Sequence, residues 1–571
     1  MTEPSDFIRD LESSIDSEAR YGRENAERQW AKPLPERMES GRAIGNLEIA
    51  EMESIRGGKL VHFHPSMQDC ASFYEGNPLR MSRNDPSGRD SIKASFIGLT
   101  RKGLTVSIPA GKFPEPSGGW SLDEEFIDLS EFYLRALDEL AKTAHGRETV
   151  LPVLMGEFDE DPFLEELDEA KAGLASDLLD DSQQDAVANC LAAERFHVVQ
   201  GPPGTGKTHA LAQVVSELVK RGNRVLVTAF THRAIHHALR KIQPLVDCPV
   251  FKISIPFPND AKGIEFHEYF SGTGLIDHPG PYVIGATPIA LFTRRASEAR
   301  FDVAVIDETS QMRTEAALMP MLRAQRWFFF GDHQQLPPVV QRPTADPTEA
   351  SVFKSLARGG CRSMLKTTYR LNFPLTEWPS ENFYHGELRA APGNAEHRFA
   401  IKANSNNDPR LGPEPSLVRV EIPHEGNKVK SDEEATEAAD LIEKLLLGGT
   451  APGEIGIVVP FRAQAARIRS LLRMERFAEY PDLHELTVDT VERFQGQERE
   501  VMIVSFVVSD DAFMDRLAGF LTQPQRLNVA ITRAKTKIIL IHSTRFRKWL
   551  ETHSQANENA ALALSLIQPQ S

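Results

Sequence analysis

From Arg195 onward the chain alternates two kinds of segment. Short, almost wholly apolar runs (FHVVQ, RVLVTAF, YVIGAT, VAVIDE, RWFFFGD) are separated by stretches such as HALAQVVSELVKRG, whose apolar residues recur at helical spacing. Runs of that length with no polar face predict a parallel sheet covered by helices on both sides. A second series starts after residue 415, with LVRVEIP, EIGIVVPF, VMIVSFVV and KIILIH interleaved with amphipathic segments such as EATEAADLIEKLLLG, and predicts a second α/β layer. Before Arg195 the pattern differs. Phe7, Ile8, Leu11 and Ile15 recur at helical spacing among charges, as does FIDLSEFYLRALDELAKTAH near residue 126, and both predict surface helices. Between them KLVHFHP, SIKASFIGL and GLTVSIPAG are short, β-rich and broken by Gly, Pro, Asn and Asp, which predicts a small barrel or curled sheet. The stretch after Lys548 reads as a frayed tail.

Composition changes this picture in a few places. At 571 residues with 41% apolar content the chain is too long for one core and predicts several domains. No run approaches the length of a membrane span, and the acidic N-terminus is unlike a signal peptide, so a soluble, intracellular, cytoplasmic protein without membrane association is expected. Cys70, Cys190, Cys248 and Cys361 are scattered and form no metal-binding pair, and His62 and His64 near Cys70 read as exposed residues of an alternating strand. The formal charge of −16 argues against a protein that merely coats nucleic acid. Much of that acid, however, lies in one run from Gly156 to Asp181, which reads as a solvated linker, with a protein-docking segment as the alternative. A narrow basic track elsewhere would be enough for a motor.

Gly201, Pro202, Pro203, Gly204, Thr205, Gly206, Lys207 and Thr208 match G-x-x-x-x-G-K-[ST] in full, directly after an apolar strand and directly before a helix. The glycines let backbone N–H groups face phosphate oxygens, Lys207 reaches the β- and γ-phosphates of ATP, and Thr208 is placed to bind Mg2+. Phosphate binding alone does not make an enzyme. Asp307 and Glu308, at the end of the run Val303–Ile306, supply the missing pair: Asp307 for the metal and Glu308 for the attacking water.

LDDSQQDAV, IDETSQ, GDHQQLPP, TTYRLNFPL, TVERFQGQERE and RLNVAITRAK follow in that order along the chain. In letters and order they resemble the Q motif and motifs II to VI of superfamily 1 helicases, within them the 1B branch typified by the nonsense-mediated decay helicase and the immunoglobulin mu-binding protein. The resemblance runs from about Leu179 to Ile541. It implies an α/β fold of two tandem RecA-like P-loop domains sharing one nucleotide site, with an N-terminal helical stalk and a small β-barrel. The expected boundaries are a stalk at 1–50, a barrel at 51–120, a stalk helix and acidic linker at 121–178, RecA-like domains at 179–350 and 351–548, and a tail at 549–571. The segment between Ala238 and Tyr282 is too short for the large inserted domain of the decay helicase, and no Cys- and His-rich regulatory module or Cys-ligated nuclease pattern is seen in these letters.

The resemblance also assigns roles. Gln183 would read the adenine edge, Tyr369 would stack on the base, Glu498 would contact the ribose and Gln335 would sense the γ-phosphate. Arg370 and Arg533, both expected from the second α/β layer, would act as arginine fingers, coupling hydrolysis to domain movement. Thr231, Thr287 and Thr490 would contact the phosphates of single-stranded or tailed duplex nucleic acid, DNA or RNA alike, although His232 and Arg233 replace the family's commoner Ser-Asn pair. The implied activity is ATP-driven stepping and unwinding, with 5′ to 3′ polarity from the branch alone. A nucleoprotein remodeller or clamp that leaves strands paired would keep every one of these residues. A small-molecule kinase would have no use for the second layer.

Overall fold

The computed structural model describes residues 3–55, 57–64, 73, 76–100, 102–115, 118–157, 164–174, 178–255, 263–276, 278–342, 350–357, 362–401, 408–494 and 496–568. Cys70, Cys361 and parts of the acidic run (158–163 and 175–177) lie outside them. The chain divides into two compact units. One comprises Met1–Tyr21, Asp128–Arg370 and Pro379–Asn394, the other Gly22–Ile127, Leu371–Trp378 and Ala395–Ser571.

The first unit is built on an eight-stranded parallel sheet. Its order is Glu265–His267, Val250–Ile253, Tyr282–Gly285, Arg224–Ala229, Phe301–Asp307, Ala324–Gly331, Phe196–Gln200, Arg362–Met364. Successive side chains of a strand leave on opposite faces, and the core shows it. Val225, Val227, Phe328 and Phe330 join one apolar cluster with Leu211, Val215 and Leu218 of the helix Lys207–Lys220. Leu226, Trp327 and Phe329 point the other way, into a cluster with Leu137 and Leu140 of the helix Ser130–Lys142. Ile15 of the helix Pro4–Trp30 is buried there too, with Phe7, Ile8 and Leu11 packed alongside, so both predicted surface helices cover this face of the sheet.

The second unit holds a five-stranded parallel sheet in the order Leu417–Ile422, Ala534–Ser543, Arg499–Ser505, Ile455–Val459, Thr487–Thr490. Ile457, Ile503, Ile539 and Ile541 pack against Ala438, Leu441 and Leu445 of the helix Asp432–Leu447. The same unit contains a seven-stranded antiparallel sheet. Its order is Ala43–Leu47, Trp120–Glu124, Pro78–Ser82, Ile92–Thr100, Gly103–Pro109, Gly58–Phe63, Ile49–Ile55. All of its strands feed one core around Val61, Phe63, Leu79, Val106 and Leu122, so the sheet curls as the sequence predicts.

The sheet is larger than the span 51–120, because Ile44, Leu47 and Leu122 are needed to complete that core. A buried ion pair between Arg37 and Asp123 fastens the preceding helix Leu34–Glu39 to it. His62, expected to be exposed, is buried, and its Nδ1 meets Thr105 Oγ1 at 2.8 Å. The segment expected to fray after Lys548 is instead helical, through Thr544–His553 and Glu558–Ile567. Asn557 caps the second of these, Leu566 and Ile567 are buried, and Trp378 Nε1 donates to Ser565 Oγ at 3.0 Å. Among the described residues no helix is long and apolar enough to cross a membrane.

Candidate active site

The strand Phe196–Gln200 delivers the phosphate loop, and Gly201 N–H donates back to Gly331 O of the neighbouring strand at 2.9 Å. Gly204 and Gly206 have φ of +75° and +73°, a region only glycine enters without cost. Space demands glycine as well. A Cβ on Gly204 would lie 2.5 Å from Arg370 Cβ, and one on Gly206 would lie 2.7 Å from Gln183 Nε2. Gly206 is the N-cap of the helix Lys207–Lys220, and Thr205 Oγ1 closes the turn on Pro202 O at 2.8 Å. Thr208, half-buried, follows in the first turn.

Lys207 Nζ stands 3.1 Å from Asp307 Oδ1 and 2.9 Å from Glu308 Oε1. Burial works against its charge, but the two carboxylates outweigh burial and raise its pKa above the usual lysine range. Burial raises the Asp307 carboxyl, with Lys207 pulling the other way. Glu308 has φ of +52°, a left-handed backbone rare for a residue with a side chain, which costs roughly 1–3 kcal/mol and is typical of functional sites. Glu308 N–H donates to Asp307 Oδ1 at 2.8 Å and Gln311 Nε2 donates to Glu308 Oε2 at 3.0 Å, which together fix the strained residue.

These residues fit a nucleoside triphosphate with its metal. The glycine turn leaves no room for a side chain, and a lysine is held at its mouth. Thr208 and Asp307 are hard oxygen donors of the kind that bind Mg2+ jointly with substrate phosphates. No group of three or more His, Cys, Asp or Glu that could hold a metal alone occurs among the described residues.

Asp180, counted above in the acidic linker, caps the helix Asp181–Ala192 in a reciprocal capping box with Gln183. Its other oxygen accepts from Tyr369 OH at 2.9 Å. The ring of Tyr369 is 47% exposed, open to stacking, and partial burial and then Asp180 push its phenol up to about 12. Gln183 Nε2 donates to Thr205 O at 2.9 Å, so the expected adenine reader also braces the phosphate loop.

Tyr369 and Arg370 do not come from the second α/β layer as expected. Tyr369 N–H donates to Gly204 O at 2.8 Å and Thr368 Oγ1 to Pro203 O at 2.8 Å, while the strand Arg362–Met364 extends the first sheet. These bonds hold the segment on the phosphate loop, and residues up to Arg370 group with the first unit.

One polar centre lies within GDHQQLPP but has no role assigned to it from the sequence. Asp332, 1% exposed, accepts from Gln200 Nε2 (3.1 Å), Gln334 N–H (3.2 Å), Gln335 Nε2 (2.9 Å) and Tyr384 OH (2.7 Å). It holds Gln335, the expected γ-phosphate sensor, to the strand that carries the loop. Its position just after the apolar strand Ala324–Gly331, comparable to that of Asp307 at the end of Phe301–Asp307, was the available signal; Tyr384 offered none.

Thr231 is exposed and caps the helix His232–Ile242, its hydroxyl oxygen accepting from Ala234 N–H at 3.2 Å. Thr287, half-buried, follows the strand Tyr282–Gly285. Both stand just beyond strand ends of the first sheet. Thr490, Glu498 and Arg533 belong to the second unit. Thr490 ends the strand Thr487–Thr490, Glu498 pairs with Lys535 at 3.1 Å, and the buried Arg533 donates from Nε to Val529 O at 3.0 Å.

Two family models match the chain, both described as an AAA domain, one over residues 178–255 and 282–343 and the other over 348–545. The DNA replication ATP-dependent helicase/nuclease DNA2 of Gallus gallus is 26% identical over 552 residues, covering 90% of this chain and 52% of its own. The Saccharomyces cerevisiae protein of the same description is 28% identical over 401 residues, covering 63% and 25%. The DNA-binding protein SMUBP-2 of Rattus norvegicus is 26% identical over 445 residues, covering 66% and 44%. The chain thus spans about half or less of the length of these relatives. The matches support a superfamily 1 helicase of the Upf1-like type.

Proposed function

We propose that the chain, as a superfamily 1 protein of the Upf1-like type, is an ATP-hydrolysing motor that steps along single-stranded nucleic acid and separates duplexes, with DNA as its track. The observation that carries the reading is the contact of Lys207 with both Asp307 and Glu308 at the start of a phosphate loop. It puts the cation for the phosphates, the metal-binding carboxylate and the base for water within one hydrogen-bonded group. ATP supplies the phosphoanhydride and Mg2+ the charge that binds its oxygens. The protein's own work is to aim Glu308 at a water, keep Lys207 charged, and hold Gln335 through Asp332. Arg533 is assigned the role of arginine finger on its motif alone. Arg370, beside Gly204, contacts the phosphates from the loop's own unit. Glu498 is assigned to the ribose, and Thr231, Thr287 and Thr490 to the phosphates of the strand. DNA is chosen over RNA because the relatives' descriptions name DNA replication and DNA binding.

The test is ATP hydrolysis without nucleic acid, with single-stranded DNA and with single-stranded RNA, beside Glu308→Gln. Stimulation by DNA that falls by roughly 10²–10⁴ in the variant is the expected result. Stimulation by RNA alone would overturn the choice of track, and stimulation by neither would overturn the autonomous motor.

A further inference from the structure

A cavity of about 240 Å3 opens in the first unit where the strands Phe196–Gln200 and Arg362–Met364 end, and Gln200, His333, Gln334, Arg362 and His385 are on its wall. It is too small for a nucleotide, since sites for ligands of that size run to roughly 300–1,000 Å3, but it has room for a small ion with some of its water. Gln200 Nε2 and the Gln334 N–H both donate to Asp332 Oδ1. Gln335 Nε2 and Tyr384 OH donate to the other oxygen, Oδ2. The Asp332 carboxylate therefore joins the wall of the cavity to the residue assigned above to the γ-phosphate.

The wall is rich in donors, and its acceptors are already served. Glu387 is paired with Lys366 at 2.6 Å, and Asp332 behind the wall accepts the four bonds just named. Arg362, exposed, meets a neutral carbonyl, Ala357 O, from Nη1 at 3.3 Å, one bond out of the five that its guanidinium can make. His333 Nδ1 is buried with no hydrogen-bond partner among the described residues. Burial holds the His333 imidazole below its usual range; Asp332 opposes this, while Arg362, Lys354 and His385 push it lower still, so the surroundings are positive. His385, exposed, has φ of +54°, a backbone strain of the kind stored at ligand sites. Its turn is fixed by Gly386 N–H donating to Ser380 O and Glu387 N–H to Tyr384 O, both at 2.9 Å. A small cavity with spare donors and a positive field suits an oxyanion.

We propose that this cavity binds inorganic phosphate, the product of ATP hydrolysis, through Arg362, His333 and His385, at a site separate from the phosphate loop. The ion is set free at the γ position, beside Gln335, which shares Asp332 with the cavity wall. Phosphate held in the cavity acts on Gln335 through that shared carboxylate, so it slows turnover without competing with ATP. This regulatory half rests on the proposed function; the binding half does not.

Binding is tested by the phosphorus NMR line width of inorganic phosphate titrated with the full chain in chloride at constant ionic strength, in a Lys207→Ala background that disables the phosphate loop. Broadening should persist there. Adding Arg362→Ala should weaken phosphate by about tenfold or more, the loss of a charge-assisted bond, and adding His385→Ala by about three- to tenfold. Sulfate, also a tetrahedral oxyanion, should displace the phosphate. No broadening in Lys207→Ala, or no effect of either added substitution, would overturn the inference. Displacement by an oligothymidylate would mark the cavity as a strand contact and overturn it as well. In steady-state ATPase assays on the otherwise unaltered protein, phosphate should lower kcat and leave the KM for ATP unchanged. Arg362→Ala should relieve that inhibition and keep the rate seen without phosphate. Inhibition that only raises KM would put the ion in the nucleotide site and overturn the regulatory half. Phosphate binding by a protein that hydrolyses no ATP would instead overturn the proposed function beneath it.

Discussion

Lys207 in the first unit and Lys537 in the second are both buried, yet their neighbours push them in opposite directions. Lys207 faces two carboxylates, which more than offset the penalty of burial and keep it charged. Lys537 has no exposure and donates to the carbonyls of Pro415 (2.7 Å) and Arg410 (3.3 Å). Carbonyl dipoles compensate a charge less fully, and burial brings its pKa down to about 8, with only Glu414 opposing. A buried lysine is therefore not by itself a sign of chemistry. What matters is whether its partners hold the charge permanently, as a phosphate site requires, or leave it marginal.

Breaking the first arrangement should have the largest effect. Lys207→Ala leaves Asp307 and Glu308 side by side with no cation between them, and steady-state ATPase assays should show a loss of at least about 10³-fold. Asp332 extends the comparison to a buried anion served by neutral donors. Asp332→Ala strands several of them and should cost on the order of 3 kcal/mol in chemical denaturation. Lys537 gives a pH signature. Between about pH 8 and the unfolded value near 10.5 the unfolded chain binds a proton that the folded chain does not, so stability rises with pH across that window and is unaffected by this group below it. Melting temperatures across that window should lose the Lys537 contribution in Lys537→Met. The smallest effect is expected of Tyr384→Phe, which removes one of four donors to Asp332 and should shift stability by about 1 kcal/mol.

The parallel strands of both sheets were readable because runs such as VAVIDE and KIILIH are apolar on both faces, a pattern that needs no tertiary information. The loop and its carboxylate pair were readable for a related reason, since each stands at the end of such a run. Tyr384, Asp180 as a partner of Tyr369, and the placement of Arg370 were not. Each depends on which segments meet in space, and short elements such as Arg362–Met364 carry too few residues to show a period. The helix Glu558–Ile567 was missed because its stripe of Ala and Leu, read without its partners Trp378 and Arg419, looks like any weakly polar tail.

The second unit also has a history in time. Its antiparallel strands all lie between Ala43 and Glu124, so every pairing among them can close once that one stretch has left the ribosome. The strand Leu417–Ile422 is placed differently. Its partner in the sheet is Ala534–Ser543, with Leu417 facing Ile538, and Arg419 is bonded beyond that to Leu566 O. During synthesis this edge strand must wait without its ladder partner while more than a hundred further residues are added. Slow non-local pairing exposes apolar surface to aggregation. The barrel is thus the part best placed to form early, and the sheet beside it in the same unit the part most dependent on protection while the chain is still being made.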